Sequence, residues 1–312
     1  MKTVYPDYYE SFKCIADKCR HSCCIGWEID IDSKSFDFYQ SVKGEFGERL
    51  CRNISIEGIP HFILKEDERC PFLNKNNLCD IYSKLGEKSL CQICSEHPRF
   101  YNEFSDRIEA GLGLCCEEAA RLIITKKEPF KLTGIEDIEK TGNFLGRSLM
   151  FKHMQNRRLS IPQRIDKILT LTVKNRPELN TEKYLPLFES LERLDESWTK
   201  LLLMLKENKS DQKAFNNFMK DRETEYEQFI CYILYRYLGR AEFAEDTGIY
   251  TCFAALSYNL IYSIGAVIFT QKGDFTVNDQ LEIMRLFSSE IEYSDDNLDI
   301  ILYELEKEIF GY

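Results

Sequence analysis

IYTCFAALSYNLIYSIGAVIFT, Ile249–Thr270, is an uncharged run long enough to cross a bilayer or to form the centre of a helical domain. Ser257, Asn259, Ser263 and several tyrosines are spread along it, a pattern that favours protein surroundings over lipid. A second apolar run, YEQFICYILYRYLG (Tyr226–Gly239), precedes it and carries Arg236. Joined by RAEFAEDTG, the two runs predict a buried helical hairpin.

Helical patterning extends outward from this hairpin. Expected helices cover Ile135–Gln155, Ile161–Lys174, Thr181–Lys206, Asp211–Gly239, Thr247–Thr270, Val277–Ser289 and Asp295–Phe310. In LEIMRLFSSEIEY the apolar residues recur at three- and four-residue steps, one face of an amphipathic helix. The residues before about Thr125 differ. EIDIDS (Glu28–Ser33) alternates like a short strand, and HFILKEDERCPFL (His61–Leu73) is expected to be extended. Ser33–Ile54 predicts a helix with Ser33 or Ser35 as its N-cap. EEAARLIIT (Glu117–Thr125) opens a helix with two acids in its first turn, which suits the positive end of the helix dipole. The expected fold is therefore mainly α: a cysteine-rich, metal-binding N-terminal region of short strands and loops (residues 1–125), followed by an all-α helical domain (126–312).

Eleven of the thirteen cysteines fall between Cys14 and Cys116. Ten of these form the groups CIADKCRHSCC (Cys14, Cys19, Cys23, Cys24), CPFLNKNNLC (Cys70, Cys79), CQIC (Cys91, Cys94) and CC (Cys115, Cys116), and Cys51 stands alone. No apolar run follows the start MKTVYPDYYESFKC, so no signal peptide is expected and the cytoplasm is the expected compartment. Disulfides are rare there, which leaves zinc and iron–sulfur clusters as the main uses of so many thiols. Thiolates are soft ligands suited to both. Only Cys91–Cys94 has CxxC spacing, and the irregular remainder favours iron–sulfur, such as a 4Fe–4S cluster, over a zinc finger. The ligands expected are Cys14, Cys19, Cys23, Cys24, Cys70, Cys79, Cys91, Cys94 and Cys116. Cys51, Cys231 and Cys252 are expected to be small buried hydrophobes.

The net charge of −11 argues against nucleic acid or an anionic membrane as the main partner. CxxxCxxC is absent, because Gly26 stands where the third cysteine would be, and no P-loop, HExxH or dinucleotide fingerprint is present.

The motifs CxxxxCxxxCCxGW with EIDID (Cys14–Asp32), CPFLNKNNLCDIYSKLGEKSLCQICSEHPR (Cys70–Arg99) and CCEEAARL (Cys115–Leu122) resemble the flagellin lysine N-methylase family. Part of this cysteine frame is shared with domains described as zinc- or iron-chelating. The motifs span about the first 122 residues, and the helical remainder is compatible with the family but less diagnostic. Three positions, Cys115, Glu117 and His97, depart from its pattern. Cys115-Cys116-Glu117-Glu118 stands where the family has Ser-Cys-Pro-Glu, and His97 stands where it has tyrosine. The resemblance implies methyl transfer from S-adenosylmethionine to lysines of a protein, typically flagellin before its export. Lysine at neutral pH must lose a proton first, at a cost of about 4–5 kcal/mol. Glu117 and Glu118 are the weak candidates for handling that proton. The alternatives are a non-enzymatic zinc- or iron-chelating interaction module and an iron–sulfur redox protein.

Overall fold

A charged side chain inside an apolar helix must find a partner, and α11 shows how this chain meets that requirement. A computed structural model describes residues 2–134, 146–241, 243 and 246–311. These residues divide into two compact units, Lys13–Phe100 and Met1–Phe12 with Tyr101–Tyr312. In chain order the elements begin with β1 (Lys2–Pro6), α1 (Ser33–Ser41), α2 (Gly44–Arg52), β2 (Ile54–Ser55), β3 (His61–Phe62), α3 (Asp80–Leu85) and α4 (Gln92–Glu96). β4 (Arg99–Glu103), β5 (Arg107–Leu112), α5 (Glu117–Ile124), β6 (Leu132–Thr133) and α6 (Arg147–Met154) follow. The remainder is helical: α7 (Ile161–Thr172), α8 (Thr181–Ser190), α9 (Glu196–Glu207), α10 (Gln212–Met219), α11 (Glu223–Tyr237), α12 (Thr247–Lys272), α13 (Val277–Phe287) and α14 (Asp295–Phe310).

In the larger unit, β1 pairs parallel with β5 and antiparallel with β6, in a four-stranded sheet of order β4-β5-β1-β6. The sequence reading missed this sheet, because β1 pairs with a strand a hundred residues away. α12 is the uncharged run of the sequence. It is the one described helix long and apolar enough to cross a membrane, and 78% of its most apolar window is buried within the protein. It packs against α7, α9, α11, α13 and α14, as a core helix does.

α11 is buried almost along its whole length and still carries Glu225, Glu227 and Arg236. The Glu227 carboxylate, 0% exposed, accepts from Arg157 at 2.8 Å and from Arg164 at 2.7 Å. Glu225 pairs with Arg222 at 2.7 Å. A further buried pair holds the sheet to α6: Glu109 on β5 accepts from Arg107 and Arg147, and Arg147 also donates to the Tyr235 carbonyl on α11 at 2.6 Å.

Several expected elements are shorter or divided. Thr181–Lys206 is two helices, broken where Glu290 accepts the backbone N–H groups of Leu194 and Asp195 and Asp195 caps α9. Ser33–Ile54 is also two helices, and its first N-cap is Asp32, which accepts from the Ser35 N–H, not Ser33 or Ser35. EIDIDS forms only an isolated bridge at Asp30, because Asp32 is committed to the cap. In HFILKEDERCPFL only His61–Phe62 is a strand. Residues 135–145 of the first expected helix, and residues 242, 244 and 245 of the hairpin connection, lie outside the described residues.

Replacing Glu227 with alanine would leave the Arg164 guanidinium, 2% exposed, with only the more distant Glu223 carboxylate at 3.4 Å. The expected loss is about 3–5 kcal/mol in urea unfolding. Glu182→Ala on α8, an exposed site, serves as the control and should change little.

Candidate metal centre

The smaller unit has a modest apolar core, and sulfur is part of it. Cys70 and Cys91 are buried among Ile29, Tyr39, Phe62 and Phe72, with Cys24, Cys79 and Cys94 packed against the same cluster. Local turns deliver each thiol. The Cys70 N–H donates to the Cys24 carbonyl at 2.8 Å, tying CIADKCRHSCC to CPFLNKNNLC. Asn74 accepts from the N–H groups of Asn76 and Leu78, folding the chain back so that Leu73 and Cys79 form a bridge. Arg49 fixes this turn from α2, donating to Asp80 and to the Pro71 carbonyl, both at 2.7 Å. Asp32 joins the third group: besides capping α1 it accepts from the Gln92 N–H at 2.8 Å, directly after Cys91. Tyr39 closes the cluster with a hydrogen bond to the Ser89 carbonyl at 2.7 Å.

The thiols are electrically coupled. The hydrogen bond from Cys23 brings Cys24 down to about 7, against its burial, with help from Ser22 and Arg69. Cys91 is lowered by the hydrogen bond it receives from Cys94, while Cys94 is raised by that same bond and by burial. Burial pushes Cys70 up to about 12 and raises Cys79, and neighbouring thiols add to both shifts. Such a set holds protons that a soft metal would displace on binding.

Of the nine ligands expected, the fold gathers Cys24, Cys70, Cys79, Cys91 and Cys94 in one cluster, with Cys23 bonded to Cys24. The Cys19 thiol donates to the His21 carbonyl at 2.9 Å, and exposed Cys14 accepts from the Ala16 N–H. Cys116 lies in the larger unit, as the N-cap of α5. Among the described residues no group of three or more His, Cys, Asp or Glu side chains stands in metal-holding geometry. The described thiols instead meet as hydrogen-bonded pairs, Cys23 with Cys24 and Cys91 with Cys94. Cys231 and Cys252 are buried as expected, whereas Cys51 is exposed on α2. Glu118 is held by Arg121 in a two-bond pair at 2.6 and 2.7 Å, so it stabilises the start of α5.

The sequence reading passed over residues of the larger unit that now stand out: Tyr232, Glu292 and Tyr293, which surround Arg236. The available signal was Arg236 itself, a lone charge in an apolar run.

Residues 166–311 match the FliB lysine N-methylase C-terminal domain family. Over these residues, somewhat less than half of the chain, it is similar to that family. The match falls on the helical half, which the sequence motifs had left less diagnostic. Among curated relatives, the "Lysine-N-methylase" of Salmonella typhimurium strain LT2 is 26% identical over 151 residues, 44% of this chain and 36% of the relative. The protein of that name from Salmonella choleraesuis strain SC-B67 gives the same figures. The "Flagellar biosynthetic protein FliU" of Salmonella muenchen is 26% identical over 140 residues, 41% of this chain and 79% of the relative. The match thus spans about a third of the length of the two lysine N-methylases. No solved structure matches.

His97, which departs from the FliB-type motif, packs its ring 6.2 Å from that of Trp27 and is pushed down to about 4 by burial. An unfolded histidine titrates near 6.5, so below that pH the unfolded chain takes a proton that the folded chain refuses. Stability contributed by neutral His97 is therefore full above about pH 6.5 and lost as the pH falls towards 4, with a ceiling of about 3 kcal/mol. His97→Tyr should remove this part of the acid sensitivity. Urea unfolding of both proteins at pH 7 and pH 4.5 checks it, and an unchanged difference between them would refute it.

Proposed function

We propose that this chain is an S-adenosylmethionine-dependent protein-lysine N-methyltransferase acting on flagellin, in the cytoplasm before flagellin export. The observation that carries the reading is the match of residues 166–311 to the FliB lysine N-methylase C-terminal domain. The N-terminal cysteine motifs support it independently, because they lie outside the matched residues.

The cysteines would hold a metal centre, a 4Fe–4S cluster in preference to zinc. Cys24, Cys70, Cys79, Cys91 and Cys94 form its nucleus, and Cys14, Cys19, Cys23 and Cys116 are the further ligands proposed. Bound there, the metal would take the place of thiol protons and fix a unit whose apolar core is small. In the transfer itself, a lysine amine takes the methyl group from the donor sulfonium, after its ammonium has released a proton to water. The protein's part is to keep that amine neutral and aimed.

Anaerobically purified full chain should contain about four irons and matching sulfide, and Cys70→Ser with Cys91→Ser should lose most of both. The same preparation, given methyl-labelled S-adenosylmethionine and the cognate flagellin, should place label on flagellin lysines. Protein that is metal-replete yet neither binds the donor nor labels flagellin would end the methyltransferase reading. Stoichiometric zinc without sulfide would end the iron–sulfur assignment alone.

A further inference from the structure

The last helix carries more exposed apolar surface and more acidic charge than its packing requires. Its inner face is an ordinary one: Leu298, Ile301, Leu305 and Ile309 are buried, and the helix packs against α12 and the π-helical turn at Ser288–Glu292. On the outer face Ile300 is 43% exposed, Tyr303 54% and Phe310 43%. Spacings of three and seven put these three side chains in one row, which runs about 15 Å along the helix axis. An amphipathic surface helix has a single apolar stripe. α14 has two, one covered by the fold and one open, and an open apolar row bordered by charge marks an interaction surface.

The charge around that row has one sign. Residues 289–312 hold eight acids and one lysine, a net −7 out of the −11 of the whole chain. Glu290 and Glu292 are buried and already committed, the first to the N–H groups of Leu194 and Asp195, the second to Arg236. The other six acids stand on α14. Glu304 pairs with Lys307, and Glu308 with Lys183. Asp295 and Asp296 lie in the first turn, where the helix dipole favours acids. Asp299 lies beyond that turn and is exposed, and neither it nor Asp296 has an ion-pair partner among the described residues. Two copies of the chain packed face to face here would set these acids against each other. Nucleic acid or an anionic membrane would be repelled as well. A partner that is both apolar and basic answers the row and its charge together.

We propose that the exposed face of α14 is the docking surface for an amphipathic helix of the protein substrate, one that carries lysines beside its apolar side. The inference rests on the methyltransferase reading for the identity of the partner, and it adds where that partner is held. Ile300, Tyr303 and Phe310 receive the apolar side chains of a helix laid along α14. Asp296 and Asp299 meet its lysines near the start of α14, and the acidic surface speeds the arrival of a basic partner. The face holds the substrate and takes no part in the transfer, so its loss appears in KM and not in kcat.

The test joins two measurements on the full metal-replete chain: calorimetric binding of the cognate flagellin without methyl donor, and steady-state methylation. Ile300→Ala with Tyr303→Ala should weaken binding and raise KM about tenfold, with kcat within about twofold. Asp299→Lys should weaken binding about fivefold, a loss that shrinks as salt rises from about 0.05 to about 0.5 M. It removes no apolar contact, and it carries the test should the double variant not fold. Leu203→Ala on α9 removes an apolar side chain of similar exposure, 48%, and should change neither quantity. Wild-type binding and KM in both test variants would overturn the inference and leave the methyltransferase reading intact. Self-association abolished in the double variant, with flagellin binding unchanged, would give the face to a second copy and overturn the inference too. Binding that depends on this face without any methylation would overturn the methyltransferase reading and leave the docking surface standing.

Discussion

Charge taken out of water on α11 fixes the segments around it. Glu227 and Arg236 are buried, and neither is tolerable in an apolar interior alone. Each is answered from elsewhere in the chain: Glu227 by Arg157 and Arg164, Arg236 by Glu292 beyond α13. Backbone carbonyls of the same helix are used as well, that of Tyr235 by Arg147 and that of Arg236 by Asn102. Apolar packing alone would let these segments slide along α11. An ion pair at a fixed position does not, so the polar contacts set the register that burial of α12 makes stable.

In the smaller unit the constraint is sulfur. Five thiols share a cluster with a few aromatic and aliphatic side chains, and raise or lower one another according to which donates. This arrangement is poor as a purely apolar core, since buried thiols beside ionisable neighbours lose packing for little gain. Asp32 and Asn74 then look less like ordinary caps than like the parts that hold the groups together. Each binds backbone N–H groups next to a cysteine, Asp32 after Cys91 and Asn74 before Cys79.

The helices were legible where their signals are local. Ser160 and Gln163 form a capping box that starts α7, and Gly273 ends α12 in the left-handed conformation. What could not be read depends on distant partners. The break at Leu191–Asp195 exists because Glu290, some 95 residues on, accepts two backbone N–H groups there. β1 is a strand because Lys2 to Val4 meet Arg107 to Glu109. The cysteine groups were visible as spacing, yet the order in which their thiols meet is set by turns such as Asn74–Cys79. Arg236 was visible too, but its meaning was not, because Glu292 lies 56 residues further along the chain.

The chemistry of the chain is divided between its units. The thiols that gather belong to Lys13–Phe100, whereas Tyr232, Arg236, Glu292 and Tyr293 lie inside the matched family domain. The buried ion pairs of the larger unit fix where its helices meet, whereas thiols take the place of apolar side chains in the core of the smaller one.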